Sequence, residues 1–465
     1  MSGDPLGPVV FEDDLIAKYD TAAPRYTSYP TAPQFHPGFD AAALERVLKE
    51  TNRPEDSASP PISLYFHLPF CRHMCLFCGC NVTIARDLSR AATYADDVRR
   101  EMDLVAPLVR TGRRVEQLHW GGGTPTFFPP EVLEDLFEWI AERFPFAPGA
   151  EVGVEIDPRE TTDSHLETLA SCGFNRLSLG IQDLDPRVQA AVQRIQPEDM
   201  TRRVIEKARS VGFKSVNVDL IYGLPHQTLE TFERTVDAVI GLDPDRIALF
   251  NFAFLPEMIR HQRALDAGAM PGPDEKLEIL KMAVRCFTAA GLEFIGMDHF
   301  ARKDDELFRA LRDRTLHRNF QGYTTKSGCD LFGFGVSAIS QIGRSYSQNR
   351  KDVASWTEAV RAGTLPVTRG IELSDDDVLR RDVITRLMCH FTLRKPEIEA
   401  SHGVDFDTTF AKEIERLGPL EKDGLVKLEP DRIDVLPRGR FLVRNVAAAF
   451  DAYIDRAGQR YSRTI

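Results

Sequence analysis

Four of the chain's eight cysteines, Cys71, Cys75, Cys78 and Cys80, fall within ten residues, in the stretch Leu64-Tyr65-Phe66-His67-Leu68-Pro69-Phe70-Cys71-Arg72-His73-Met74-Cys75-Leu76-Phe77-Cys78-Gly79-Cys80-Asn81. So dense a set of thiols in one loop makes a metal site or a redox site. A structural zinc site would usually present two separated Cys-x2-4-Cys pairs, and this single run does not. Cysteines spaced Cys-x3-Cys-x2-Cys on one short loop can instead reach three corner irons of a cubane iron–sulfur cluster. The fourth iron is then held by Cys80 or left open. Cys80 stands only two residues beyond Cys78 and would have difficulty turning back to the distant corner, so the open arrangement is preferred. An open iron can chelate an external amino and carboxylate group.

Polar and glycine residues recur at the ends of other short apolar runs: Gly121-Gly122-Gly123-Thr124-Pro125-Thr126, Glu155-Ile156-Asp157-Pro158, Gly180-Ile181-Gln182-Asp183 and Asp219-Leu220-Ile221-Tyr222-Gly223-Leu224-Pro225. The three glycines would let a small cofactor approach the backbone closely, although a tight turn explains such a run about as often. Beside the cysteine spacing, the cofactor reading is the stronger one.

The elements that must hold these residues follow from the alternation of patterns. Hydrophobic runs at 64–68, 117–120, 152–156, 176–181, 215–221, 246–252 and 293–296 alternate with helical patterns near 94–109, 131–142, 163–171, 200–211, 228–240 and 274–290. Strand and helix repeating at this spacing predict an α/β fold with a parallel sheet and right-handed crossovers. A barrel-like or a doubly wound sheet would satisfy the pattern, and both gather function at the C-terminal strand ends. Five successive strand ends, that of the cysteine loop included, then point polar groups at one rim.

On either side of this core the composition changes. Residues from Phe11 to about Arg53 carry the Pro-bounded segment Lys18 to Thr31 and read as an ordered arm with a short amphipathic helix from Ala41 to about Lys49. Arg53-Pro54-Glu55-Asp56-Ser57-Ala58-Ser59-Pro60-Pro61 marks a linker. The expected division is 1–61 as arm and linker, 62–367 as the main domain with an extension, and 368–465 as a C-terminal domain. In the last, helices at 375–388, 395–400 and 410–417 precede a hairpin at 420–440, which suggests a small, mostly helical, winged-helix-like module. A net charge of −12 and the lack of an Arg/Lys-rich recognition helix favour structural packing of that module over nucleic-acid binding.

With 465 residues, 43% hydrophobic and 28% charged, the chain can bury a full core. No basic segment followed by an apolar core opens it, and no stretch approaches the ~18 apolar residues of a membrane helix. A soluble, cytoplasmic protein with no membrane partner is expected, and nothing demands more than a monomer. Cys172, Cys286, Cys329 and Cys389 are scattered singly and read as packed free thiols of a reducing compartment.

The Cys71, Cys75, Cys78 spacing resembles the radical S-adenosylmethionine (SAM) superfamily, and the extra Cys80 in Cys-Gly-Cys-Asn resembles its oxygen-independent coproporphyrinogen III oxidase family. The likeness also covers Pro24-Arg25-Tyr26-Thr27-Ser28-Tyr29-Pro30-Thr31, His119-Trp120-Gly121-Gly122-Gly123-Thr124-Pro125-Thr126, Phe174 to Asp183, Gly296-Met297-Asp298-His299-Phe300-Ala301, His317-Arg318-Asn319-Phe320-Gln321-Gly322-Tyr323 and Gly335-Val336-Ser337-Ala338-Ile339. It extends from the arm through Asp423-Gly424-Leu425-Val426, essentially the full chain.

The resemblance implies a partial, three-quarter (β/α)6 radical SAM barrel with an N-terminal arm and a helical C-terminal domain. Cys71, Cys75 and Cys78 would bind a [4Fe–4S] cluster whose free iron takes SAM, while Cys80 would be needed for activity but not for ligation. Two SAM molecules would be lined by Tyr65, Phe77, Gly122, Gly123, Thr124, Glu155, Gln182, Arg194, Asp219, Ala253 and Ile339. An electron from an unidentified donor would cleave the bound SAM to a 5′-deoxyadenosyl radical. Hydrogen abstraction from the β-carbon of a propionate, loss of carbon dioxide and transfer of one electron to an unidentified acceptor would leave a vinyl group. Two rounds would convert coproporphyrinogen III to protoporphyrinogen IX. On an acidic protein the four carboxylates of that substrate need local cations, and Arg25 with His299 or Arg318 are the expected contacts. A His stands in place of Phe254 in some relatives, so a polar contact there is absent.

Two rival readings come from other classes. A haem-binding chaperone of the same superfamily would keep Cys-x3-Cys-x2-Cys, but a non-cysteine residue would stand at the Cys80 position and the arm would be missing. A zinc-dependent regulator using its C-terminal module on DNA would be colourless, where an iron–sulfur protein is brown.

Overall fold

The β-branched and aromatic runs of the sequence form strands that are buried on one face and buried or half-buried on the other, and crossover helices join them into a parallel sheet. The computed structural model describes residues 6–53 and 59–454, so residues 54–58 of the expected linker lie outside the described residues. Contacts group the chain into two units: Phe35–Ala290 with Gly328–Glu372, and Met1–Gln34 with Gly291–Ser327 and Leu373–Ile465. The consecutive division expected from the sequence, 1–61, 62–367 and 368–465, does not coincide with this grouping.

In the first unit, six parallel strands follow one another in sequence order: β1 (Ile62–Leu68), β2 (Val115–Gly122), β3 (Phe146–Ile156), β4 (Arg176–Gln182), β5 (Ser215–Tyr222) and β6 (Arg246–Asn251). Among these six strands the order does not reverse, as it would at the switch point of a doubly wound sheet. Each crossover carries a helix, among them Ser89–Val105, Pro130–Arg143, Asp163–Ser171, Glu198–Ser210 and Leu229–Gly241. Thr162 and Thr228 start two of these helices, each accepting from the backbone N–H three residues on. Trp120, Phe66 and Leu118 are fully buried in the sheet, and each such side chain contributes about 1.5–3 kcal/mol.

On its other edge β1 pairs in parallel with Asp330–Phe334, which continues into an antiparallel meander of Ile339–Ile342, Ser345–Asn349 and Val367–Glu372. A buried ion pair sits at the base of this junction. Arg113 Nη2 donates to Asp330 Oδ2 at 2.6 Å and Arg113 Nη1 to Asn52 Oδ1 at 2.7 Å.

The second unit joins segments distant in sequence, which is why a linear division missed it. Tyr26 donates to Asp451 Oδ2 at 3.0 Å and Arg444 Nε to Pro24 O at 3.0 Å, fixing the arm. Two antiparallel hairpins, Leu292–Gly296 with His299–Arg302 and His317–Asn319 with Gly322–Thr324, share a core with the helix Asp375–His390: the Phe294 ring stacks on Phe441 at 4.6 Å, and Tyr323 donates to Met388 O at 3.1 Å. Helices Lys395–His402 and Ala411–Lys422 and a three-stranded antiparallel sheet of Thr392–Arg394, Arg432–Val435 and Val426–Leu428 complete it. No helix among the described residues is long and apolar enough to cross a membrane.

Candidate active site

The cysteine loop leaves the C-terminal end of β1 and is pinched at its base by a two-residue parallel bridge, Phe70–Cys71 against Thr83–Ile84. Three backbone hydrogen bonds and one from a histidine side chain tie it to its surroundings. Gly123 N donates to Leu68 O (2.9 Å) and Thr124 N to Phe70 O (2.8 Å), so the glycine turn after β2 is sewn to the root of the loop. Leu76 N donates to Val192 O (3.0 Å), and His261 Nε2 donates to Cys78 O (2.7 Å).

The glycines of that turn are required by the protein itself, beyond any close approach of a ligand. A Cβ on Gly121 would lie 2.8 Å from the Glu155 carboxylate carbon, and one on Gly122, at φ +110°, would lie 2.6 Å from the His67 ring.

Within the loop, Cys75 is buried, Cys71 and Cys78 are half-buried and Cys80 is exposed. Burial pushes the Cys71 thiol up to about 12 against the opposing hydrogen bond from Thr124, whose Oγ1 is 3.4 Å from Cys71 Sγ. Cys78 is held down to about 6 by the hydrogen bond it receives from the Cys80 thiol, and Cys80 is raised by the same contact. Cys80 therefore turns toward Cys78.

Two guanidinium groups flank the third thiol. Arg159 Nη2 donates to Cys75 Sγ at 3.2 Å, and Arg194 Nη1 lies 3.6 Å from the same sulfur. Asp157 lies between them, accepting from Arg159 Nη2 at 2.7 Å and from Arg194 Nη1 at 3.0 Å. Burial would raise the Asp157 carboxyl, but the two arginines hold it below the usual carboxylate range. Arg194 also donates to Gly180 O at 2.5 Å and is buried.

At the neighbouring strand ends, Glu155 accepts from His119 Nε2 at 3.0 Å and from Gly122 N at 3.3 Å. Burial opposes its ionisation, yet these bonds and the nearby imidazole keep its carboxyl below the ordinary range. Asp219 on β5 behaves in the opposite way. Burial and then the Glu155 charge push it up to about 7, against hydrogen bonds from Asn217 (2.8 Å) and Ser178 (3.3 Å).

His67 on β1 donates from Nε2 to Asn81 O at 2.8 Å, because a carbonyl can only accept. Its Nδ1 is left to accept from the Tyr65 hydroxyl at 3.0 Å, and burial keeps the ring neutral by lowering its pKa.

The structure thus gathers Tyr65, Gly122, Gly123, Thr124, Glu155, Arg194 and Asp219 with the four cysteines through direct contacts or shared fields. Gln182 closes β4 at φ +71° with its buried Oε1 accepting from no group among the described residues. Phe77 and Ala253 are linked by Gln262, whose Nε2 donates to Ala253 O at 3.1 Å and lies 3.5 Å from Phe77 O. Phe77 also packs, with Phe254, against an apolar cluster of Leu76, Val188, Val192, Leu224, Phe252 and Leu265, so an aromatic at 254 has a packing reason. Ile339 covers Gly333, the register partner of Tyr65; a Cβ on Gly333 would lie 2.5 Å from Ile339 O. His67, His119, Arg159, His261 and Gln262 are site residues that sequence reasoning did not single out. Only the Asp157-Pro158 end of β3 hinted at one of them, by its place beside Glu155.

This donor set fits a [4Fe–4S] cluster. Among the described residues no three metal-ligating side chains converge on one point, as ligands about 2.0–2.3 Å from a single zinc ion must. Thiols that serve separate irons of a cubane have no such common centre. The buried Gln182 Oε1 and Arg194 Nε meet no partner among the described residues, and a polar cofactor beside the loop would supply one.

Comparison with known proteins agrees with this site. The profile of the radical SAM superfamily matches residues 65–239, and that of the HemN C-terminal domain matches residues 373–442. Oxygen-independent coproporphyrinogen III oxidase of Pseudomonas aeruginosa is 45% identical over 463 residues, covering 99% of this chain and 100% of that one. The enzyme of the same name from Escherichia coli strain K12 is 45% identical over 454 residues, covering 97% and 98%. The solved structure of coproporphyrinogen III oxidase (HemN) from Escherichia coli, described as a radical SAM enzyme, superposes with a TM-score of 0.90 at 43% identity, covering 96% of this chain and 99% of the other. Matched along nearly its whole length by relatives of that name, the chain belongs to the oxygen-independent coproporphyrinogen III oxidase family of the radical SAM superfamily.

Proposed function

We propose that this chain converts two propionate side chains of coproporphyrinogen III to vinyl groups by oxidative decarboxylation, giving protoporphyrinogen IX. The observation that carries the reading is the sewing of the three-thiol loop to the glycine turn of β2, beside Glu155 and Asp219 at adjacent strand ends. A [4Fe–4S] cluster held by the loop cysteines would supply the electron for reductive cleavage of SAM, and with it the means of removing a hydrogen atom from the propionate β-carbon.

Cys71, Cys75 and Cys78 hold the cluster, and Cys80 serves the reaction rather than the cluster. Two SAM molecules are bound, by Tyr65, Phe77, Gly122, Gly123, Thr124, Glu155, Gln182, Arg194, Asp219, Ala253 and Ile339. Ionised Glu155 and Asp219 accept from ribose hydroxyl or amino groups, and Arg194 meets a carboxylate. Neutral His67 fixes the Tyr65 hydroxyl, and the pair can neither gain nor lose a proton cheaply. The strand ends and the loop exclude water from the reacting carbon. The enzyme works as a cytoplasmic monomer with a separate electron donor and acceptor.

Anaerobic incubation of the reconstituted protein with SAM, a low-potential reductant and coproporphyrinogen III tests the reading. Vinyl formation is expected. Stoichiometric haem binding without vinyl formation would favour the chaperone of the same superfamily.

A further inference from the structure

The hairpin His317–Asn319/Gly322–Thr324 of the second unit carries a buried cation with no counter-charge among the described residues. Arg318 is 8% exposed, and its Nε and Nη1 are buried with no hydrogen-bond partner among the described residues. Its guanidinium lies over the ring of Tyr323, its cross-strand partner, 4.8 Å from the centroid. The ring cannot swing away, because its hydroxyl donates to Met388 O and the His299 ring stands edge-on to it at 5.3 Å.

Among the described residues no ion pair supplies this arginine with a negative charge. Cys389 lies in its field, but burial pushes that thiol up to about 12 and leaves it neutral. Arg25 and Arg440 add positive charge around Tyr323. Of these, Arg25 is paired with Asp298, and Arg440 donates to the Phe294 and Gly7 carbonyls. Arg318 has neither an ion pair nor, at Nε and Nη1, a hydrogen-bond acceptor among the described residues. In the turn of the same hairpin, the buried Gln321 Nε2 also donates to nothing among the described residues.

A desolvated guanidinium without an anion is costly by several kcal/mol, whereas a charge-assisted bond to a carboxylate is among the stronger polar contacts. An arginine stacked on an aromatic ring is also held in one orientation, so it loses little entropy on binding. We infer that Arg318, held on Tyr323, is an anion site that takes a propionate carboxylate of the porphyrinogen. This inference rests on the decarboxylase reading for the identity of the ligand, but the carboxylate requirement itself does not. Arg25, already neutralised by Asp298, is not that anchor.

The test uses the reconstituted holoenzyme with two substitutions, Arg318→Gln and Arg318→Lys. The binding probes are coproporphyrin III, the air-stable tetracarboxylate, and its tetramethyl ester. For wild type, the tetra-acid is expected to bind at least tenfold more tightly than the ester. Arg318→Gln should weaken tetra-acid binding and raise the KM for coproporphyrinogen III by at least tenfold, with unchanged SAM affinity and cluster absorbance and a melting temperature no lower than that of wild type. Arg318→Lys should fall between, since it keeps the charge and loses the planar fork. Equal KM and probe affinity in wild type and a folded Arg318→Gln variant would overturn the inference. If wild type makes no vinyl product but discriminates acid from ester through Arg318, the anion site stands and the decarboxylase reading fails.

Discussion

Arg159 reaches across from β3 to Cys75, its Nη2 donating to the thiol sulfur over 3.2 Å. Hydrogen bonds to cluster sulfurs raise the reduction potential, because they stabilise the more negative, reduced state. Arg159→Met should therefore keep the full complement of iron and sulfide and lower the potential. A spectroelectrochemical titration of the reconstituted protein reads this directly. An unchanged potential would mean that the bond does not persist to the bound cluster.

Asp219 and Glu155 form an unequal pair, and pH separates them. Asp219 is pushed up to about 7 by burial and then by the Glu155 charge, while Glu155 is held low by His119 and Gly122. Below pH 7 Asp219 is protonated and a poorer acceptor; above it, ionised and a better one. SAM affinity should rise with pH through about 7. Glu155→Gln removes the repelling charge and should move that rise to lower pH. Asp219→Asn should flatten it. Isothermal titration across pH 5.5–8.5, a range of about three units around the expected midpoint, measures all three.

Cys80→Ser separates ligation from reaction. The Cys80 thiol bonds to Cys78, so its loss should free Cys78 without removing a cluster ligand. The variant should keep its iron and its brown colour and lose product formation. Loss of iron would make Cys80 a ligand.

Removing Arg113 should unsettle the edge of the sheet. Arg113→Met strands Asp330, a 7% exposed side chain whose remaining Oδ1 bond comes from Gly343 N at 2.8 Å. Breaking a buried pair costs about 3–5 kcal/mol. The denaturant midpoint should fall accordingly, and Arg113→Met with Asp330→Leu should recover most of the loss.

Much of the first unit was legible from local pattern. The helix read at 163–171 is Asp163–Ser171, and the run 215–221 is the strand Ser215–Tyr222, because period and capping act within a few residues of each position. The helices of the second unit were legible in the same way, Asp375–His390 and Lys395–His402 among them, but their assembly with the arm was not, since contacts such as Tyr26 to Asp451 span 425 residues and leave no local trace. In the site, the cysteine spacing carried its meaning on its face. The Arg159 contact to Cys75, 84 residues away, did not, and neither did the His67 ring that excludes a side chain at Gly122.

The central claim is that this chain removes hydrogen from a propionate β-carbon by way of cleaved SAM. Coproporphyrinogen III deuterated at the β-carbons of its propionates, turned over anaerobically, tests it most directly. Deuterium should appear in the 5′-deoxyadenosine, with two equivalents of that nucleoside and two of carbon dioxide for each protoporphyrinogen IX. Vinyl product with unlabelled 5′-deoxyadenosine, or cleaved SAM with no vinyl product, would contradict it.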